Sequence, residues 1–389
     1  MTQQINFSGH HPAVESVMKN GFDGLGESMR LLFNEAMKIE RTEALKAQSY
    51  ERNEDRTGYA NGFKNKTIQT RVGTLDLNVP QVRGDVSFYP SAIEKGLRSE
   101  RALNHAICEM YIQGVSTRKV QPILKMLCGV TVSREKVSQV AQELDGELEK
   151  WRQRPLGHVK YLIVDARYEK VRVDNLVRDC ALLVAFGVQD DGKRTVLGVS
   201  VSLSEAECHW RDFLRSLKQR GLHGIQMITS DAHAGLKAAL KTEFSGVLWQ
   251  RCQFHLQQNA SSYVPKMDMK KDVAEDIRNI FNAPDLINAQ RLLDVVVEKY
   301  AKTASKLSSW MADNIPEGLT FFAMPSAHRK RIRTSNMAEV TNRELKRRTR
   351  VIGIFPNEDS LLRISSALLK EIDEKWIEGP CYLNMKGNE

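Results

Sequence analysis

Residues 161–173 read YLIVDARYEKVRV, and the segments that follow them settle the architecture of most of the chain. Two further β-rich runs, ALLVAFGVQ (181–189) and TVLGVSVSL (195–203), come after the short polar breaks DNLVRD (174–179) and DDGKR (190–194). β-Branched and aromatic residues dominate all three runs, and breaks this short turn a strand back on its neighbour, so an antiparallel meander is expected. SEAECHWRDFLRSLKQRGL (204–222) then places its apolar residues along one helical face and ends at Gly221. GIQMITSD (224–231) reads as a buried strand and AHAGLKAALKTEF (232–244) as another helix.

The order βββαβα is that of a ribonuclease-H-like mixed sheet, so residues 157–248 are expected to form the first part of an α/β core. Beyond Trp249, and as far as about Pro325, no strand is evident. DVAEDIRNIFN (272–282) and LINAQRLLDVVVEKYAKTASKLSSWMAD (286–313) are amphipathic, which predicts an all-helical insertion over 249–327. Residues 328–389 complete the core with a basic helix around NMAEVTNRELKRRTR (336–350), a break at Gly353 and Pro356, and a last helix from about Asn357 to Trp376.

Upstream, residues 1–100 predict a helical segment, typified by SMRLLFNEAMKIERTEALKA (28–47), and then a small hairpin. Gly58, Gly62 and Gly73 punctuate that region, and KTIQTRV (66–72) can pair with TLDLNVPQV (74–82) across Gly73-Thr74. Residues 101–152 read as three helices separated by GVS (114–116) and GVTVS (129–133), with Ser116 and Ser133 as N-caps. Arg118, Lys119, Arg134 and Lys136 fall in first turns, as in a helix-turn-helix unit that reads a major groove. A plain helical bundle with a solvated basic face accounts for the same residues.

The chain has 57 Lys and Arg against 48 Asp and Glu, a net charge of +9, which favours a polyanionic partner without identifying one. The six cysteines are scattered and do not form the dense framework of a secreted scaffold, so reduced thiols are expected. No basic-then-apolar leader opens the sequence, and no apolar run approaches the ~18 residues of a membrane span, so a cytoplasmic protein with no membrane partner is expected.

Three acidic residues stand out. Asp165 follows the apolar run YLIV, which places a carboxylate on a sheet interior, where an unpartnered charge is costly. Asp231 ends the strand MITSD, where a sheet hands over to a helix and α/β folds collect ligand groups. Glu339 sits in a strongly cationic stretch, with nine Lys and Arg and two acids between 328 and 350. Each has an ordinary explanation as well: Asp165 paired with Arg167 or Lys170, Asp231 as an N-cap, and Asn336-x-x-Glu339 as a capping box. Positions 342, 343, 346 and 350 share the helical face of Glu339, so Asn342, Arg343, Lys346 and Arg350 can meet phosphates. Three carboxylates beside a basic surface suit phosphoryl transfer, because hard oxygen ligands hold Mg²⁺ and leave coordination positions for water and phosphate.

From about Arg56 to Ser360 the chain resembles the mutator-type transposases of bacterial insertion sequences. The resemblance is carried by YANGFKNKTIQT, GTLDLNVPQVR, MYIQGVSTRKV, YLIVDARYEKVR, DDGKRTVLGV, FLRSLKQRGL, ITSDAHAGLKAAL, QRCQFHLQQNA and NMAEVTNRELKRRTRVIGIFPNEDS. It implies a DDE catalytic core in which Asp165, Asp231 and Glu339 hold two Mg²⁺ ions, with Mn²⁺ as a substitute. The spacing of 108 positions from Asp231 to Glu339 (339 − 231) suits the helical insertion that the family places there.

The resemblance further implies double-stranded DNA partners, both the terminal inverted repeats of the element and target DNA, and a homodimer or larger synaptic complex. Cleavage would free a 3′-OH that joins to target DNA. The location implied is bacterial cytoplasm at the nucleoid. The basic residues Arg333, Arg343, Lys346, Arg347 and Arg350 are expected to grip backbone near the cut, while Cys252 and His255 in RCQFH are expected to be structural or DNA-facing, since a zinc site would need two more ligands. Two departures from the family pattern are Ala338, where a β-branched residue usually precedes the glutamate, and Gln258, where arginine is common. The rival readings are a DNA-binding regulator without catalysis and a structure-specific nuclease that cuts but does not join.

Overall fold

The computed structural model describes residues 11–84 and 86–385, and the chain divides after Glu143 into two compact units. The first contains α1 (Pro12–Asn20), α2 (Leu25–Leu45), β1 (Tyr59–Thr70), β2 (Gly73–Arg83), α3 (Arg101–Ile112), α4 (Thr117–Cys128) and α5 (Arg134–Gln142). The expected hairpin is present, with Thr70 opposite Gly73, and β1 reaches further back than anticipated, to Tyr59. Gly62 takes a left-handed φ of 71° within the register shift between Ala60 and Phe63, which lets the longer ribbon continue past the irregularity. Alternate residues Leu75, Leu77 and Val79 of β2 turn inward onto Met37 of α2 and Ile93.

The helices α3, α4 and α5 occupy the three expected places. Ser133 caps α5 by accepting from the Lys136 N–H (3.1 Å). Ser116 stands at the N-cap of α4, but its hydroxyl makes no cap bond; its carbonyl instead takes the N–H groups of Lys119 and Val120. A fourth helix, α6 (Asp145–Arg152), groups with these by sequence but falls in the second unit. It is fastened there to the last helix, α15 (Glu358–Glu378), by two 2.7 Å hydrogen bonds from Arg363 to Asp145 and one from the Trp151 indole to Asp373 (3.3 Å).

The core of the second unit is a five-stranded sheet. Its strands are β3 (Tyr161–Val173), β4 (Leu176–Val188), β5 (Arg194–Ser202), β6 (Met227–Ser230) and β7 (Leu248–Arg251), in the spatial order β5-β4-β3-β6-β7. The first three run antiparallel, and β6 and β7 lie parallel to β3. The six-residue break expected at DNLVRD is a two-residue turn instead. Asp174 and Asn175 carry φ of 50° and 62°, the left-handed pair a tight hairpin needs, and Leu176 already belongs to β4.

The helix α7 (Glu207–Gln219) buries Trp210, Phe213, Leu214 and Leu217 against one face of the sheet together with α8 (Ala234–Glu243). The strand β7 crosses the boundary set by sequence at Trp249, so the insertion starts later than expected. It comprises α9 (Gln253–Ser261), α10 (Met269–Phe281), α11 (Leu286–Ala301) and α12 (Ser305–Asn314), packed around their own core of residues such as Ile277, Leu293 and Met311. Two helices follow before α15: α13 (Ser326–Ile332) and α14 (Asn336–Ile352). Among the described residues, no helix is long and apolar enough to cross a membrane.

Candidate active site

Asp165 lies on the central strand β3, opposite Val184 of β4, just past the stretch where Tyr161–Ile163 pair with β6. It is 8% exposed. The cations nearest in sequence are engaged elsewhere: Arg167 pairs with Glu169 (2.5 Å) and Lys170 with Asp179 (3.2 Å). The carboxylate instead accepts from the Asn342 amide, Nδ2 to Oδ2 at 2.6 Å. Asp231 follows the last residue of β6 and accepts from the His233 N–H (3.2 Å), while His233 itself takes the N-cap position of α8. Neither aspartate is therefore accounted for by the ordinary role its sequence allows.

Glu339 enters on the first turn of α14, and hydrogen bonds fix where that turn sits. Thr229 of β6 donates to the Ile332 carbonyl (2.7 Å), and the Gln253 N–H donates to the Arg333 carbonyl (3.1 Å). Ser335 points both its N–H (3.3 Å) and its hydroxyl (3.1 Å) at the Cys252 sulfur. Further along, Arg167 donates to the Asn342 carbonyl (2.7 Å) and Thr349 to Glu169 (2.8 Å). The capping-box alternative for Asn336 and Glu339 is not realised. The helix begins at Asn336 with Ser335 in the cap position, and Glu339 Oε1 is enclosed with no hydrogen-bond partner.

These side chains act on one another electrostatically. Burial lifts the Asp165 carboxyl to about 7; the His255 charge opposes that lift, whereas Asp231 and Glu339 add to it. The glutamate from α14 is thus felt at the strand-borne aspartate, less strongly than His255 or Asp231. His255, on α9, is raised to about 9 by its contact with the Cys252 sulfur and further by Asp165 and Asp231. Burial alone would raise the Cys252 thiol, but contacts from His255 and Ser335 outweigh it and bring the thiol below its ordinary value.

A fourth carboxylate, not singled out from sequence, borders the site. Glu205 is raised by burial, with His233 opposing and Asp231 adding to the shift, and its Oε2 lies 3.8 Å from His233 Nδ1. Gly235 makes this close approach feasible, because a Cβ there would stand 2.3 Å from the Glu205 carbonyl oxygen. Helical spacing places Asn342 on the face of Glu339, but its bond to Asp165 needs the fold. Among the described residues, no three His, Cys, Asp or Glu side chains are grouped so as to hold one metal ion.

Around the acids, Arg343, Lys346 and Arg350 of α14 are exposed, and Arg347 pairs with Glu344 (2.9 Å). Arg333 differs from these. It donates to the Phe281 carbonyl (2.9 Å) and to Asn282 (3.0 Å), tying the start of α14 to the helical insertion. In the first unit Arg118, Lys119 and Arg134 are exposed and Lys136 is half-buried.

Comparison with known proteins agrees over nearly the whole length. The profile described as "Transposase, Mutator family" matches residues 3–379. The transposase for insertion sequence element IS406 of Burkholderia multivorans is 52% identical, covering 99% of each chain. The transposase for ISRM5 of Rhizobium meliloti is 40% identical over 96% of this chain and 94% of its own length. The transposase for IS256 in transposon Tn4001 of Staphylococcus aureus is 34% identical over 96% and 97%. A solved simian T-cell lymphotropic virus intasome, in complex with a PP2A regulatory subunit, matches 49% of this chain and 63% of its own at 11% identity. Its TM-score of 0.17 is too slight to bear on the fold. The chain belongs to the Mutator family of transposases.

Proposed function

We propose that this DNA transposase is of the DDE type, with Asp165, Asp231 and Glu339 holding two Mg²⁺ ions, for which Mn²⁺ can substitute. The observation that carries the reading is the buried Asp165 carboxylate, on which Asp231 and Glu339 press like charge that the half-buried His255 only partly offsets. Such a cluster costs stability unless a cation relieves it. The donor set also fits, being hard carboxylate oxygens, one of which, Glu339 Oε1, is enclosed and unpartnered. The spatial order β5-β4-β3-β6-β7, with an antiparallel meander flanked by two parallel strands, supports a ribonuclease-H-like core.

Bound metal would activate the attacking oxygen and stabilise the leaving one. The chain's own residues do the positioning. Asn342 steadies Asp165, the linked ends of β6 and β7 hold the start of α14, and Arg343, Lys346 and Arg350 grip the phosphate backbone beside the cut. On this reading the carboxylates complete their grouping when DNA binds. Water first cleaves a phosphodiester at the element end, leaving a 3′-OH. That hydroxyl then attacks a target phosphodiester, so one P–O bond forms as another breaks, and no covalent protein intermediate is needed. Joining two ends calls for a dimer or larger assembly working on the nucleoid.

The test is to incubate the protein with labelled element ends, a target plasmid and Mg²⁺, and to look for joined product. The expected result is joining by the wild type and none by D165N. Cleavage without joining would overturn the transposase mechanism in favour of a nuclease, and binding without either would favour a regulator.

A further inference from the structure

Three parts of the second unit meet on one buried ring. His328 of α13 is 2% exposed, and its Nδ1 lies 2.7 Å from the hydroxyl of Tyr161, the first residue of β3, itself 1% exposed. Its Nε2 lies 3.0 Å from the Asn384 carbonyl. A carbonyl can only accept, so Nε2 carries the hydrogen, and in the neutral ring Nδ1 accepts from the Tyr161 hydroxyl. The strand β3 carries Asp165 four residues after Tyr161, and α13 runs through Arg333 and Ser335 into α14 and Glu339. One imidazole therefore bridges the strand of one candidate acid and the helix that delivers another.

The third part is the chain beyond α15, which lies across α13 as a strap. Tyr382 and Leu383 donate their N–H groups to the Gly192 carbonyl in the turn between β4 and β5 (2.8 and 3.0 Å). Gly192 has a left-handed φ of 79°, and a Cβ on it would run into the Leu383 carbonyl oxygen. The Tyr382 hydroxyl donates to the Arg331 carbonyl of α13 (3.1 Å), and its ring lies between the guanidinium groups of Arg194 (4.9 Å) and Arg331 (5.1 Å). Leu383 is the one buried side chain of residues 380–385, so the strap adds little to the core. What it adds is a hold on α13, a helix of seven residues that is too short to keep its place by its own hydrogen bonds.

We propose that His328 is a positioning residue for strand transfer: braced by the C-terminal strap, it fixes the β3 strand against the helix that leads to Glu339, and so sets how Asp165 and Glu339 face each other. The proposal rests on the reading of these acids as metal ligands given above. It adds to that reading a bond network on the side of α13 away from Cys252.

The experiment follows end joining, end binding and the rise in melting temperature on adding Mg²⁺, a readout that does not need turnover. His328→Ala is expected to lower joining by about 10- to 100-fold, the usual scale for a group that orients a metal ligand, and to raise the Mg²⁺ concentration for half-maximal rate. Its Mg²⁺-induced rise in melting temperature should shrink, with end binding unchanged. His328→Gln, whose amide can donate to Asn384 and accept from Tyr161, should recover part of the rate. Tyr161→Phe keeps the buried ring and loses only the hydroxyl, so it should fold and shift the Mg²⁺ requirement in the same direction by a smaller factor. Removing residues 380–389, or displacing the strap with Gly192→Ala, should reproduce the His328→Ala behaviour.

Joining at the wild-type rate and Mg²⁺ requirement in Tyr161→Phe and His328→Ala overturns the proposal and leaves the metal reading intact. Variants that melt lower without metal but keep the wild-type Mg²⁺ requirement make the ring part of the scaffold only, which also overturns it. A strap that can be removed without effect while His328→Ala is slow overturns the bracing role. A wild type that binds ends and never joins them overturns the metal reading and this proposal together.

Discussion

The chain contains two long hairpins that treat polar residues in opposite ways. In β1–β2 the polar side chains of the outer face stand in water and the core beneath is small. In β3–β4 the strands are buried for most of their length, and the polar residue that matters, Asp165, is inside. The first arrangement costs nothing and leaves a surface ready for a partner. The second works against folding, because burial and like charges both penalise the ionised carboxylate. A hairpin that keeps such a residue is built around something other than its own stability.

The largest effect expected from this contrast is at the buried end. Replacing Asp165, Asp231 or Glu339 by alanine should lower strand joining by at least about 10³-fold, the scale of losing a fixed electrostatic contact to the reacting groups, while leaving binding to element ends intact. Gel analysis of joined product beside a binding titration would separate the two. Equal activity in E339A would remove the glutamate from the site and break the comparison.

Asn342→Ala should be milder, about 10- to 100-fold in joining, with a higher Mg²⁺ concentration needed for half-maximal rate, because it orients Asp165. A loss that extra Mg²⁺ does not recover at all would make Asn342 merely structural.

Stability should follow pH with a definite sign. Asp165 binds its proton more tightly in the folded chain, so the fold loses stability as pH rises from 3.8 to about 7. His255 adds to the trend, since its raised value contributes stability below 6.5 that is lost as pH rises through about 9. Without divalent metal, the melting temperature should fall across this window and D165N should flatten the lower part of the fall. Added Mg²⁺ should restore the wild type above pH 7 and do little for D165N. A melting temperature that rises with pH would contradict the burial argument.

The smallest effect is at the solvated surface of the first unit. Neutralising Arg118 or Lys119 should weaken binding to any duplex by a few-fold and reduce the salt slope by about one for each phosphate that goes unneutralised. An unchanged slope would return α4 to the plain helical bundle that its sequence equally allows.

Much of this architecture is legible in the residues alone. The meander, the crossover helix and the parallel strand at 227–230 follow from alternation and helical spacing. The strand β7 escapes such a reading because four residues carry no periodicity of their own and it is buried only by pairing with β6. The turn at Asp174-Asn175 reads too long in the sequence because Leu176–Cys180, four of them exposed, look like loop without their partners across the ladder. In the site, local context picks out the three acids, and helical spacing puts Asn342 on the face of Glu339. The proximity of Glu205 to Asp231, and the seating of Ser335 on Cys252, join residues far apart in sequence. No local pattern announces them.

The latching of Ser335 to Cys252 has a consequence for synthesis. The strands bearing Asp165 and Asp231 leave the ribosome well before Glu339, which can take its place only after the whole insertion has emerged and α14 has docked. On the proposed mechanism, a nascent or prematurely terminated copy of this chain would keep the end-binding residues of its first unit but lack Glu339 and the α14 cations beside the cut. Decayed copies of the gene that stop short of Asn336 would thus occupy ends without cutting them.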